Sequence, residues 1–327
     1  GSNAFIWEKE HGVYRKTTYL QAFELTKRIA NGLNILGVER KERVALLSEG
    51  RKEWILSELA LLYLGAISVP LSVKIEEPDE LVFRLNHAEC KTILVSSRYL
   101  QRVLMIKDKL QYLQRLIVFD DEGIVVLDHV HKFSSIINKD VGEGVVSLTQ
   151  LGTHICEDDI VNISYTSGTT AHPKGIMLTH KNYVSNVYQS ASLFTVHSHY
   201  KTLLILPWDH SFAHTVGIYT VMYGGASIGV VDRGKSPAET LRNIPINIAE
   251  LQPSFLLSVP ALASNFKKGI EANINKQNTL IRKLYHTGIK AGVKYNKLGY
   301  NRGKGVNFIT KLVYWICKVL IFKKRSE

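Results

Sequence analysis

Tyr165-Thr166-Ser167-Gly168-Thr169-Thr170-Ala171-His172-Pro173-Lys174-Gly175 decides how this chain is read, because it sets four aliphatic hydroxyls around one glycine and closes with Pro-Lys-Gly. The stretch follows the apolar run 160–164 and precedes a helical segment beginning near Thr179 and His180. Backbone N–H groups and hydroxyls in so small a bend can surround phosphate oxygens, and the Lys174 ammonium adds positive charge. Placed after a strand, the bend lies at the carboxyl edge of a parallel sheet, where α/β proteins bind ligands. An ordinary polar turn is the other reading, since Ser, Thr and Gly gather in loops for conformational reasons alone. The pattern is not Walker A: no glycine adjoins Lys174 on its N-terminal side, and Gly175 stands where Ser or Thr is required. A conventional P-loop ATPase or kinase is therefore disfavoured.

Working outward, the flanking sequence alternates strand-like and helical segments. Thr18 with Gln21 forms a capping box before an apolar face of Phe23, Ile29, Ala30, Leu33 and Leu36, and Gly37 stops that helix. Residues 53–64 read as a second helix ended by Gly65, and Pro78 opens a third with Asp79 and Glu80 in its first turn. The runs 44–47, 66–69, 92–95 and 116–119 are apolar without alternation, as strands covered on both faces require. After a less regular stretch over 120–156, strands resume at 160–165, 203–206, 226–231 and 254–259, with Pro237 near a helix start. These spacings predict an α/β fold of two stacked doubly wound, mainly parallel sheets flanked by helices. The expected division is a first α/β subdomain over 5–150 and a second, holding the hydroxyl-rich bend, over 151–265. A basic, amphipathic helical segment follows over 266–327. Residues 1–4 read as an expression scar without fold information.

Charge is distributed unevenly. The net charge of +12 arises entirely after residue 271, where 13 Lys/Arg face one acid, while the preceding residues carry 28 of each sign. A uniformly basic nucleic-acid binder is excluded by that distribution. Cys90, Cys156 and Cys317 are far apart and lack metal spacing, which suits a reducing, cytoplasmic setting.

The order of residues from Tyr165 to Gly175 closely resembles the phosphate loop of the adenylate-forming superfamily, Tyr-Thr-Ser-Gly-Thr-Thr-Gly-x-Pro-Lys-Gly. Only Ala171 departs from a fixed position. The resemblance is strongest to AMP-forming acyl-CoA synthetases, in particular long-chain fatty acid CoA ligases, and extends over about residues 12–265. It implies that Thr166, Ser167, Gly168, Thr169, Thr170 and Lys174 hold the ATP phosphates and that Thr166 helps bind Mg²⁺. Leu206-Pro207-Trp208-Asp209-His210 is similar to the family segment whose histidine lies near the carboxylate being activated. There the His210 imidazole would orient an oxygen or steady developing charge. Gln252-Pro253-Ser254 through Val259-Pro260 resembles the strand and turn lining the acyl pocket, with His214 as a further pocket or supporting residue. The small residues after Pro260 would leave room for a long chain. The implied cofactors are ATP, Mg²⁺ and coenzyme A, and the implied substrate is a fatty acid.

Features that the resemblance leads one to expect next are absent: a Gly-Gly-Ala-Pro-like adenine segment, a Tyr-Gly-x-Thr-Glu segment, a Thr-Gly-Asp segment and a small domain with a catalytic lysine. The expectation is therefore a truncated ligase, incomplete as it stands and inactive alone. An enzyme that loads a carrier protein, or a non-catalytic remnant of the fold, are the alternatives. Within 308–322, Lys311 and Lys318 fall on nearly one side of a helix. That predicts peripheral contact with anionic membrane at its inner face through 305–325, against the alternative of a buried helix with an acidic partner elsewhere.

Ala171 has a direct consequence. A methyl there restricts the backbone and crowds a phosphate. Ala171→Gly in the full-length protein is expected to raise ATP affinity or turnover; unchanged values in calorimetry and pyrophosphate release would show that the methyl is harmless.

Overall fold

The structure is a computed structural model that describes residues 3–122, 129–138, 152–166, 173–297, 299 and 301–322. Its strands are β1 (Ala4–Glu10), β2 (Val13–Thr18), β3 (Arg43–Leu47), β4 (Ile67–Pro70), β5 (Thr92–Val95), β6 (Arg115–Val118), β7 (Val130–Lys132), β8 (Ile160–Thr166), β9 (Lys174–Thr179), β10 (Lys201–Leu204) and β11 (Ser227–Val230). Seven of them form one sheet in the order β7-β6-β5-β3-β4-β8-β9, parallel except for the β8–β9 pair. The other four form a second sheet in the order β10-β11-β1-β2.

β3 shows why the larger sheet is buried on both sides. Val44 and Leu46 point into one apolar layer, and Ala45 and Leu47 into the other. The first layer is shared. It takes Phe5 and Ile6 of β1, Leu204 of β10 and Ile228 and Val230 of β11 from the smaller sheet. Helices Tyr19–Ile35 and Lys52–Leu64 fill the space between, through Ile29 and Leu33 of one and Trp54, Ile55 and Leu61 of the other. The second layer closes under helices Pro78–His87 and Ser97–Ile106. Each fully buried Leu or Ile in these layers contributes about 1.5–3 kcal/mol.

The two stacked, helix-flanked sheets are present, but they do not come from consecutive halves of the chain. β1 and β2 join β10 and β11, whereas β8 and β9 extend the sheet begun by β3. A division at residue 150 therefore does not separate the sheets. The reason is the β1–β2 hairpin. His11 and Gly12 both take left-handed backbone angles (φ 51° and 80°), reversing the chain so that β1 pairs in parallel with β11. Ala4 begins β1 opposite Thr18, and the Asn3 carbonyl accepts the Tyr19 N–H (3.0 Å), so this end of the chain carries fold information after all. The run 254–259 makes only one bridge, Phe255 to Thr202, instead of a full strand.

Two compact units result, Gly1–Leu257 with both sheets and Ser258–Glu327. The second is helical, with Pro260–Asn275, Thr279–Asn296 and Phe308–Cys317.

Gly50, in the turn after β3, lies against the Trp208 indole with no room for a Cβ. Trp208 is itself fixed edge-on to Trp54, 5.7 Å between ring centres. Gly50→Ala is expected to destabilise the protein by about 1–3 kcal/mol through overpacking. A denaturation midpoint equal to the parent's would show that the turn yields freely.

Candidate functional site

Thr166 and Lys174 stand opposite each other as the last described pair of the antiparallel β8–β9 ladder. They form the mouth of the bend, at the carboxyl end of β8, which runs parallel to β4. Ser167, Gly168, Thr169, Thr170 and Ala171 lie outside the described residues. The ladder is held from the side by Tyr165. Its hydroxyl donates to the Arg84 carbonyl (3.2 Å), its oxygen lies 2.8 Å from His87 Nδ1, and the Arg84 guanidinium sits over its ring at 5.4 Å. Burial pushes the Tyr165 pKa up to about 12, so it remains a phenol. At the far end, Thr179 and Asn182 form a reciprocal capping box that starts helix His180–Leu193. The two strands that lead into and out of the bend are thus each held, β8 through Tyr165 and β9 through the Thr179 cap.

A hydroxyl facing an ammonium fits phosphate oxygens, one donating a hydrogen bond and the other neutralising charge. It does not by itself fit Mg²⁺. Thr166 offers one oxygen beside a positive charge, and among the described residues no group of three or more His, Cys, Asp or Glu converges. A cation at this mouth would be held chiefly by phosphate.

The second segment, 206–219, follows β10. His210 is exposed, and its Nδ1 accepts the Phe212 N–H (3.2 Å), which leaves the proton of the neutral ring on Nε2. Its carbonyl accepts the His214 N–H (3.1 Å). His214 is placed in the core instead of against a substrate pocket. It is fully buried between Trp54 and Tyr219, 5.1 and 5.9 Å between ring centres, and neither ring nitrogen has a hydrogen-bond partner among the described residues. The chain from Ala213 to Tyr219 winds as a widened helical turn, a form that recurs at functional sites. Val259 and Pro260 belong to the second compact unit, where Val259 is the extended residue before helix Pro260–Asn275.

Beneath this turn lies an acid that sequence reasoning missed. Glu58 projects from the middle of helix Lys52–Leu64 and is 1% exposed. Ser68 Oγ donates to one carboxyl oxygen, and Tyr219 donates to the other (3.1 Å). His214 Nε2 lies 3.7 Å from that second oxygen. Burial pushes the Glu58 pKa up to about 7 despite both hydrogen bonds, and burial together with the nearby His210 charge pushes His214 down to about 3. An ion pair would need a protonated His214, which its burial opposes. The pair is instead a neutral imidazole beside a carboxyl poised near neutrality. Next to it, Tyr183 and Tyr219 form part of an apolar cavity of about 350 Å³ that is also lined by Leu62, Val161, Val187 and Met222.

Comparison with known proteins shows the family of the chain. The family described as AMP-binding enzyme matches residues 1–292. The chain belongs to the AMP-binding enzyme family. Among its relatives, a long-chain-fatty-acid–CoA ligase (ACSBG2) of Xenopus laevis is 25% identical over 99% of this chain and 43% of its own length. A long-chain-fatty-acid–[acyl-carrier-protein] ligase (AEE15) of Arabidopsis thaliana is 24% identical over 91% of this chain and 41% of its own length. The chain therefore spans less than half the length of these relatives. The solved anthranilate CoA ligase AuaEII in complex with anthranoyl-AMP aligns with a TM-score of 0.68 and 22% identity, covering 78% of this chain and 46% of that one. That likeness concerns the fold alone.

In this AMP-binding family member the missed residue carried a signal in its sequence: one acid inside the apolar run Trp54-Ile55-Leu56-Ser57-Glu58-Leu59-Ala60-Leu61. Its partners Ser68 and Tyr219 could not be read from spacing. The raised pKa has a sign. Below the ordinary 4.5 both folded and unfolded Glu58 are protonated; as pH rises to about 7 the unfolded state ionises first, so stability is lost over that window. His214 acts oppositely, losing stability as pH falls from 6.5 towards 3. Glu58→Gln removes only the first contribution. The variant is expected to gain on the parent by up to ~3 kcal/mol between about pH 5 and about pH 8, read by urea denaturation. A difference that stays flat with pH would mean that Glu58 ionises normally.

Proposed function

We propose that the full-length protein activates a long-chain fatty carboxylate with ATP and transfers the acyl group to coenzyme A. The observation that carries this reading is the Thr166–Lys174 mouth closing the Tyr165–Gly175 bend in a chain of the AMP-binding family. The anthranoyl-AMP complex of the anthranilate CoA ligase neighbour and the fatty-acid relatives support an acyl-adenylate route. The apolar lining of the 350 Å³ cavity suits a hydrocarbon chain.

In the first step a carboxylate oxygen bonds to the α-phosphorus of ATP while the bond to the β-phosphate oxygen breaks, giving acyl-AMP and pyrophosphate. Lys174 and Thr166, with Ser167, Thr169 and Thr170 of the same bend, hold the leaving phosphates so that displacement is in line. The exposed His210 Nε2–H is the donor for a carboxylate oxygen, steadying its approach. In the second step a thiolate attacks the acyl carbon, AMP leaves with the bonding pair, and the thiol proton passes to solvent. The described residues supply no carboxylate cluster for Mg²⁺, so no step is assigned to a metal. The unpaired Cys90, Cys156 and Cys317 support a reducing, cytoplasmic setting.

The carrier-protein ligase among the relatives favours a second acceptor, an acyl carrier protein, on the same first step. Lys174→Ala is expected to lower acyl-adenylate formation from palmitate by ~10²–10³-fold, read as pyrophosphate release. Thr169→Ala combined with Thr170→Ala and Lys174→Ala should abolish it; normal release would end the proposal. Thioester yield with coenzyme A against carrier protein then distinguishes the acceptors.

A further inference from the structure

The second compact unit carries an unpartnered apolar stripe beside a concentration of positive charge. From Ser258 to Glu327 there are 15 Lys/Arg against Glu271 and Glu327, a net charge of +13, whereas the first unit has 26 against 27. Helix Phe308–Cys317 fixes which side of this unit is apolar. Its inward face is settled by Tyr314, stacked on Tyr295 at 4.4 Å between ring centres, and by Cys317 and Ile321, which are 2% and 7% exposed. The opposite face should be polar in a surface helix. It is not: Phe308, Ile309 and Trp315 are 76%, 71% and 61% exposed, and Leu312, Val319 and Leu320 continue the same row. Positions 308, 312, 315 and 319 follow the four-three-four spacing of one helical face, which runs on into the wider turn Lys318–Phe322. Exposed Lys311 and Lys318, seven residues apart, run along one edge of that row.

We propose that this stripe docks on the surface of an anionic lipid bilayer, with the helix lying in the interface. The charge selects the partner. A second copy of this unit would bring +13 against +13, and a zwitterionic surface would leave the lysine row without a counterpart. Anionic headgroups complement it while the apolar side chains enter the acyl boundary, and the lysine stems reach back to the headgroups. Trp315 sits in the row as an aromatic side chain suited to that boundary. Among the described residues no helix is long and apolar enough to cross a membrane.

The full chain, incubated with vesicles of phosphatidylcholine containing about one third phosphatidylglycerol at low salt, is expected to float with them and to show a blue shift of Trp315 emission. The shift should be absent in Trp315→Phe, and raising NaCl to about 0.5 M should release the protein. Lys311→Glu with Lys318→Glu, and separately Phe308→Ser with Trp315→Ser, should each weaken partitioning at least tenfold. Both pairs change exposed side chains, so unchanged circular dichroism is the check that the fold persists. Equal binding to pure phosphatidylcholine, or no flotation at low salt, overturns the proposal. So does a protein that sediments as a dimer at low salt and becomes monomeric in the Phe308/Trp315 variant without binding vesicles, because the stripe would then be a contact between copies.

Discussion

The stacking of the two sheets in the first unit depends on one helix whose buried apolar residues point in nearly every direction. Lys52–Leu64 buries Trp54, Ile55, Leu56, Ala60, Leu61 and Leu64, directions that together encircle its axis. Such a helix is stable only when it is surrounded. It is surrounded here because Val44 and Leu46 of the larger sheet and residues of β1, β10 and β11 belong to the same apolar layer. Remove that shared layer and the two sheets have no reason to stack. The constraint also explains why the chain must cross between sheets: both have to be supplied with strands before the helix between them is closed in.

The same helix connects packing to chemistry. Trp54 meets Trp208 and His214, and Glu58 meets Tyr219 and lies beside His214, so the segment that presents His210 rests on four aromatic or polar contacts from one element. A carboxyl buried to this degree is costly unless it stays protonated or well hydrogen-bonded. Glu58 has both forms of relief, accepting from Ser68 of β4 on one oxygen and from Tyr219 of the widened turn Ala213–Tyr219 on the other. A polar strut in an otherwise apolar layer specifies one register of that turn in a way that leucine could not.

Local signals were legible in the sequence where one short segment determined the outcome. Thr18 and Gln21 form the capping box that their spacing predicts, Pro78 opens a helix, and 92–95 is a strand with those bounds. The hairpin position of Lys174 was less legible, because 174–179 is a strand exposed on several residues and lacks the continuous apolar run of its parallel neighbours. Pairings across long separations were not legible at all. Ile6 meets Ile228 and Tyr219 meets Glu58, and nothing near either residue announces its partner. The run 254–259 misled in the opposite sense: apolar content alone does not make a strand when only Phe255 finds an edge to pair with. The candidate site divides the same way. The bend and His210 were visible as patterns, while the buried acid and the core placement of His214 depend on contacts that only the fold creates.

Charge separation bears on how a nucleotide would be held. With 26 basic and 27 acidic side chains, the first unit offers no net field to attract a polyphosphate. Net charge therefore adds little long-range attraction there, and a nucleotide would be held chiefly by groups in direct contact. Thr166 and Lys174 are opposed across the last pair of the ladder, so their spacing is set by the sheet and not by a free loop. Tyr165 fixes β8 to the Arg84 carbonyl, and the Thr179 cap fixes β9 to helix His180–Leu193. A phosphate bound there would meet two groups whose separation the ladder already sets, so little ordering would be needed to hold it.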